Sequence, residues 1–181
     1  KGGAPRAVVV YYHGGGFVLG DLESHDDICA EICAATGFEV VSVDYRLAPE
    51  HRHPSAFEDA MAAFSHVAAA IEMPLVLCGE SAGGNLASAV AHASRDRART
   101  AAGQVLIYPS LGGEPNGRSY VEHADAPLLS VKDMIFYREV RAGAGYPAGD
   151  ATLEPLHDSD FSGLPATVIV TAQCDPLSSD G

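Results

Sequence analysis

The run Leu75-Val76-Leu77-Cys78-Gly79-Glu80-Ser81-Ala82-Gly83-Gly84-Asn85-Leu86-Ala87 decides how this chain folds. Leu75 to Cys78 is apolar and reads as a short buried strand. Asn85 to Ser94 reads as a helix of small residues. Only Gly79 to Gly84 separates the two, so the chain turns sharply between them. A serine on so tight a strand-to-helix turn takes strained dihedrals, and its neighbours must lack bulk. Gly79 and Gly83 supply that space. The following helix points its positive end at the turn, which favours a developing negative charge. The pattern G-x-S-x-G by itself would turn up in a chain this long roughly one time in twenty. A strand before it and a small-residue helix after it make Ser81 a candidate nucleophile.

The rest of the chain repeats the strand-then-helix rhythm. Ala7 to Tyr12 is a continuous apolar, β-branched run, the pattern of a strand buried on both faces. His13-Gly14-Gly15-Gly16-Phe17 follows as a loop. Ser24-His25-Asp26-Asp27 resembles a capping box for a helix over 25–36, with Gly37 as its terminating glycine. Phe38 to Val43 is the next buried strand. Ser55-Ala56-Phe57-Glu58 reads as a second capping box. Phe57, Met61, Phe64, Val67, Ala68 and Ile71 then form a stripe at helical spacing, and Pro74 stops that helix. Gln104 to Tyr108 and Ala166 to Ala172 are further strands.

Buried strands alternating with helices predict an α/β fold with a doubly wound, mostly parallel sheet. Ligands in such sheets bind at the carboxyl ends of the strands. The chemically unusual residues here follow strands: His13 to Gly16, Asp44 to Pro54, Ser81 and Asp175. Residues 111–147 break the rhythm, with a glycine-rich loop and then a helix over Val131 to Ala142. That segment reads either as a partial helical cap insertion over the strand ends or as an ordinary crossover helix on the sheet.

A chain of 181 residues can bury one sizeable core. Hydrophobic residues at 47% against 19% charged exclude a disordered chain. A formal net charge of −13 argues against nucleic acid as a partner and reads as a solvated acidic face. No apolar run approaches the ~18 residues that span a bilayer, so no membrane span is expected. No basic segment followed by an apolar one opens the chain, and a cytoplasmic location is the expectation. Cys29, Cys33, Cys78 and Cys174 lack paired zinc spacing and read as reduced core thiols.

The loop His13-Gly14-Gly15-Gly16 lets backbone approach a substrate closely, and it resembles the loop that gives lipases and esterases their amide donors. Asp44-Tyr45-Arg46-Leu47-Ala48-Pro49-Glu50-His51 and Asp175-Pro176-Leu177 with Asp180-Gly181 complete a set of motifs spread over nearly the whole chain. In this order they resemble the hormone-sensitive-lipase-like esterases, bacterial family IV, of the α/β-hydrolase superfamily. The resemblance implies a carboxylic ester hydrolase acting on short to medium acyl esters, with a small-molecule ester as substrate and no metal or organic cofactor. It implies Ser81 as nucleophile, Asp175 as triad acid, and the amides of Gly14, Gly15 and Ala82 as the oxyanion hole, with Asp180 a weaker candidate acid. It implies that Asp44, Arg46 and Glu50 form a charged network propping the oxyanion loop, and that residues 111–147 belong to a cap in which Met134, Phe136 and Tyr137 could face an acyl chain. The family usually carries Asp or Thr before the nucleophile, where this chain has Glu80.

A serine hydroxyl needs a base within hydrogen-bond reach, and in this superfamily the order is Ser, acid, His. No histidine follows Asp175 here. His13, His25, His51, His53, His66, His92, His123 and His157 each occupy a position that suits another role. The expectation is therefore an incomplete α/β-hydrolase domain over 1–181, starting abruptly at Lys1-Gly2-Gly3, whose base lies beyond Gly181. Two rivals remain open: a receptor-like binder that keeps the serine without the base, and an amide or lactone hydrolase with the same triad.

Overall fold

The computed structural model describes residues 4–114, 116–143 and 149–181. The expected abrupt start at Lys1-Gly2-Gly3 and the end of the 111–147 segment lie outside the described residues. The sheet has five parallel strands: β1 (Val8–Tyr12), β2 (Glu39–Val43), β3 (Leu75–Glu80), β4 (Gly103–Ile107) and β5 (Ala166–Val170). Their spatial order is β2-β1-β3-β4-β5. The chain winds outward from β1 to β2, then crosses back to β3 and proceeds the other way. The winding reverses between β1 and β3, the switch point at which such sheets open a crevice. Tyr12 at the end of β1 lies opposite Gly79 near the end of β3. The glycine loop and Ser81 therefore leave the sheet side by side.

Alternation along the strands builds two cores. Val8, Val10, Tyr12, Leu75, Leu77 and Leu106 face one side, against α2 (Ser55–Ala70) and α3 (Ala82–Ser94). Val9, Tyr11 and Cys78 face the other, against Cys29 and Ile32 of α1 (Asp26–Thr36). All of α3 from Ala82 to His92 is buried. Its Gly, Ala and Ser side chains let it lie close on β3 and β4. The outer strands differ from the continuous burial read in their sequences: β2 is only half-buried, and Val168, Ile169 and Val170 of β5 are exposed. Both are edge strands, so apolar composition does not translate into burial there.

Helix termini follow the sequence in part. Gly37 takes φ 70° and its N–H donates to the Cys33 carbonyl, the expected glycine stop. The box expected at Ser24–Asp27 forms one turn earlier: Asp21 N donates to Ser24 Oγ (2.9 Å) and Ser24 N to Asp21 Oδ1 (2.7 Å). Ser55 is already inside α2 and caps nothing, because the preceding Pro54 is the cap residue. The true capping box is Ser130–Asp133, at the start of α5 (Val131–Ala142), which follows the short helix α4 (Arg118–Glu122). Of the four cysteines, Cys29 and Cys78 are core thiols as expected, whereas Cys33 and Cys174 are exposed. Among the described residues no helix is long and apolar enough to cross a membrane.

The segment before β5 is anchored to α3 by charge. Asp158 accepts from His92 Nδ1 (2.6 Å) and Arg95 (3.0 Å). The His92 hydrogen bond, with the Asp160 amide and Arg95 helping, holds the Asp158 carboxyl down to about 2. A depressed carboxyl adds stability above its unfolded pKa of about 3.9, and that stability is lost as pH falls towards 2. Asp158→Asn should therefore reduce urea stability at neutral pH and flatten its fall between about pH 4 and 2. Identical stability–pH curves for the two proteins would contradict this.

Candidate active site

Ser81 sits at φ 54° and ψ −115°, between β3 and α3. That positive φ is costly for a residue with a Cβ. The surroundings leave no alternative. Ser81 N donates to the Ile107 carbonyl (2.9 Å), and the Ser81 carbonyl accepts from Ser110 N (3.2 Å) and Asn85 N (3.1 Å). A Cβ on Gly83 would run into the Tyr12 and His13 carbonyls, and one on Gly79 into the Gly83 carbonyl. Both elbow glycines are thus required by close backbone approach, as the sequence predicts.

Ser81 opens onto a cavity of about 900 Å³. Gly15, Gly16 and Ala82 line it, as does Asp175. Asp175 accepts Leu177 N at 2.8 Å, capping the turn Pro176–Ser179. Asp180 is buried elsewhere. It accepts from Tyr120 Oη (2.7 Å) and Leu111 N (2.8 Å), pinning the chain after β4, and burial pushes its carboxyl up. Of the two candidate acids, only Asp175 is on the cavity.

The glycine loop departs from expectation at Gly14. Its N–H donates to the Glu80 carboxylate. A buried carboxylate must be supplied with donors, and Gly14 is one of them. The Gly14 amide is therefore committed to Glu80, and the glycines of the loop on the cavity are Gly15 and Gly16. His25 Nε2 is the second partner of Glu80, at 2.9 Å.

The prop expected from Asp44, Arg46 and Glu50 is a further correction. All three are exposed. Arg46 turns to α2, where its guanidinium meets Asp59 at 2.8 Å and 2.9 Å. Tyr45, between them, holds the loop instead: its hydroxyl donates to the His13 carbonyl (2.7 Å), and its ring stacks on His13 at 4.2 Å. Exposed charges gain more from water and a surface partner than from burial beside the loop.

The far wall comes from α5 and the chain before it. Leu129, Val131, Met134, Ile135 and Tyr137 line the cavity, whereas Phe136 points outward at 56% exposure. The Tyr137 ring covers Gly16, where a Cβ would lie 2.6 Å from it. Arg141 fastens this helix. Its guanidinium lies 3.4 Å over the Phe17 ring and donates to Asn85 Oδ1 (3.2 Å) and the Leu153 carbonyl (3.0 Å). Tyr45, Glu80 with His25, and Arg141 are site residues that sequence reasoning did not single out as braces. The acidic residue directly before Ser81 was the available signal for Glu80; nothing in the sequence marked Arg141. Among the described residues no three His, Cys, Asp or Glu side chains converge as a metal would require.

Fold and site together define an α/β hydrolase. The family profile described as an alpha/beta hydrolase fold matches residues 9–181, and the chain belongs to that family. It is 38% identical to the carboxylic ester hydrolase LipN of Mycobacterium tuberculosis (strain ATCC 25618 / H37Rv), over 100% of this chain and 52% of that protein. It is 40% identical to the esterase LipI of the same organism, over 98% of this chain and 58% of that protein. The crystal structure of EstE1, a thermophilic and thermostable carboxylesterase cloned from a metagenomic library, matches with a TM-score of 0.92 at 39% identity, covering 100% of this chain and 65% of that one. These names agree with the hormone-sensitive-lipase-like resemblance of the motifs. The chain spans about half the length of the curated relatives it matches.

The strained elbow carries a stability prediction. Ser81→Gly should relieve about 1–3 kcal/mol of backbone strain and lose about 0.5–1 kcal/mol to extra unfolded-state freedom. The variant should unfold at a higher urea concentration than the parent, by about 1 kcal/mol of stability. A lower midpoint would show that the hydroxyl, not the backbone, dominates at this position.

Proposed function

We propose that this chain forms the nucleophile, acid and oxyanion-binding part of a carboxylic ester hydrolase that works through an acyl-enzyme on Ser81. The observation that carries the reading is Ser81, held at φ 54° at the mouth of α3, on one cavity wall with Gly15, Gly16, Ala82 and Asp175. The esterase names of the relatives support the same reaction class.

In this mechanism Ser81 Oγ attacks the ester carbonyl and a tetrahedral oxyanion forms. The amides of Gly15, Gly16 and Ala82 receive it, with the first turn of α3 adding its positive end. Gly16 takes the place expected for Gly14, whose amide is held by Glu80. Collapse expels the alcohol and leaves the acyl group on Ser81, which water then removes. Asp175 orients the base, a histidine outside residues 1–181. The positions of the histidines support that assignment. His13 is packed under Tyr45, His25 meets Glu80 and His92 meets Asp158. His157 lines the cavity but is paired through Nδ1 with Glu154 at 3.1 Å.

Substrates are small-molecule esters with short to medium acyl chains, lodged against Leu129, Met134, Ile135 and Tyr137. Residues 116–143 act as the cap wall of this cavity. In the whole protein that carries these residues, Ser81→Ala should lower turnover of p-nitrophenyl butyrate by about 10⁶-fold. Met134→Trp should move the preferred acyl length towards acetate. Undiminished hydrolysis by Ser81→Ala would remove the reading altogether.

A further inference from the structure

Glu80 takes no part in the proposed chemistry, yet it is buried one residue before Ser81 and lines the same cavity. A carboxylate there works against the reaction, because its charge opposes the oxyanion in a poorly screened site. It also has to be held. Burial drives its carboxyl up, and the Gly14 amide and His25 act against that rise.

The hydrogen bonds around His25 hold its ring in place. Ser24 Oγ donates its one hydrogen to the Asp21 carbonyl at 2.9 Å and accepts from Asp21 N. Ser24 Oγ also lies 2.9 Å from His25 Nδ1. That contact holds the ring from its Nδ1 side. Nε2, 2.9 Å from the Glu80 carboxylate, is placed to donate to it.

We infer that His25 is a positioning residue: its Nε2 clamps Glu80, Glu80 holds the Gly14 amide, and this relay fixes the oxyanion loop. The inference rests on the reading of His13–Gly16 as that loop. The other groups facing the pair are Tyr11 of β1, Tyr45 after β2, Cys78 of β3, Tyr108 after β4 and His13. Burial pushes the tyrosine hydroxyls up and the Cys78 thiol to about 11, and it pushes His13 down. The tyrosines and Cys78 therefore stay neutral between about pH 5 and 8.

The test compares His25→Ala, Glu80→Gln and the double variant in the whole protein that carries these residues. The Gly14 amide proton is followed by NMR against pH, alongside kcat and KM. In the parent the Gly14 resonance should lie far downfield and titrate with Glu80. His25→Ala should move that titration to higher pH by about one unit, because the Nε2 partner that favours the carboxylate is gone. It should lower kcat about ten- to hundredfold with KM nearly unchanged, and move the acid limb of kcat upward. In a Glu80→Gln background the same change should do little to any of these. His25→Gln, which keeps a donor on a differently shaped side chain, should fall between and serves where His25→Ala does not fold. An unmoved Gly14 titration in both His25 variants, or a kcat loss as large in the Glu80→Gln background, would overturn the clamp. A parent protein that hydrolyses no ester would defeat the esterase reading, and the Gly14 titration would still decide the clamp.

Discussion

Ser81 is kept at a backbone conformation that a residue with a side chain resists, and most of the site follows from how it is kept there. Hydrogen bonds from the end of β4 and from α3 fix its peptide groups, while Gly79 and Gly83 let the β1 and β3 backbones close in. That closeness is available only because β1 and β3 are neighbours at the point where the sheet reverses its winding. The same adjacency brings the glycine loop after β1 to the serine after β3. A parallel sheet in another strand order would hold the same motifs apart.

The loop needs its own restraint, since Gly15, Gly16 and Phe17 all have positive φ. Three braces act on it. Tyr45 stacks on His13 and bonds its carbonyl, Glu80 takes the Gly14 amide, and Arg141 covers the Phe17 ring. They come from the chain after β2, from β3 and from α5, so the loop is fixed from three directions. Arg141 also bonds Asn85 of α3, which couples the α5 wall to both the glycine loop and the helix after Ser81.

The topology was legible because parallel strands buried on both faces leave continuous apolar runs, and β1 and β3 are such runs. The elbow was legible because its glycines are required by steric contact, which a sequence records directly. Residues whose role depends on a distant neighbour were not legible. Gly14 and Gly15 look alike in the loop, and only the Glu80 carboxylate beside Gly14 separates an amide committed to the scaffold from one on the cavity. Asp44, Arg46 and Glu50 draw attention as charges, yet the neutral Tyr45 among them carries the contact. The 56% exposure of Phe136 beside the cavity-lining Tyr137 likewise depends on the rotation of α5, which its weak apolar pattern does not fix.

The central claim is that Ser81 is an activated nucleophile facing amides that receive an oxyanion. Treatment of the whole protein with a fluorophosphonate ester, followed by peptide mass spectrometry, tests it directly. The account predicts one phosphonyl group per chain, on Ser81, with labelling slowed when Glu80 or His25 is replaced. A protein that stays unlabelled, or that carries the group on another residue while Ser81 remains free, would contradict it.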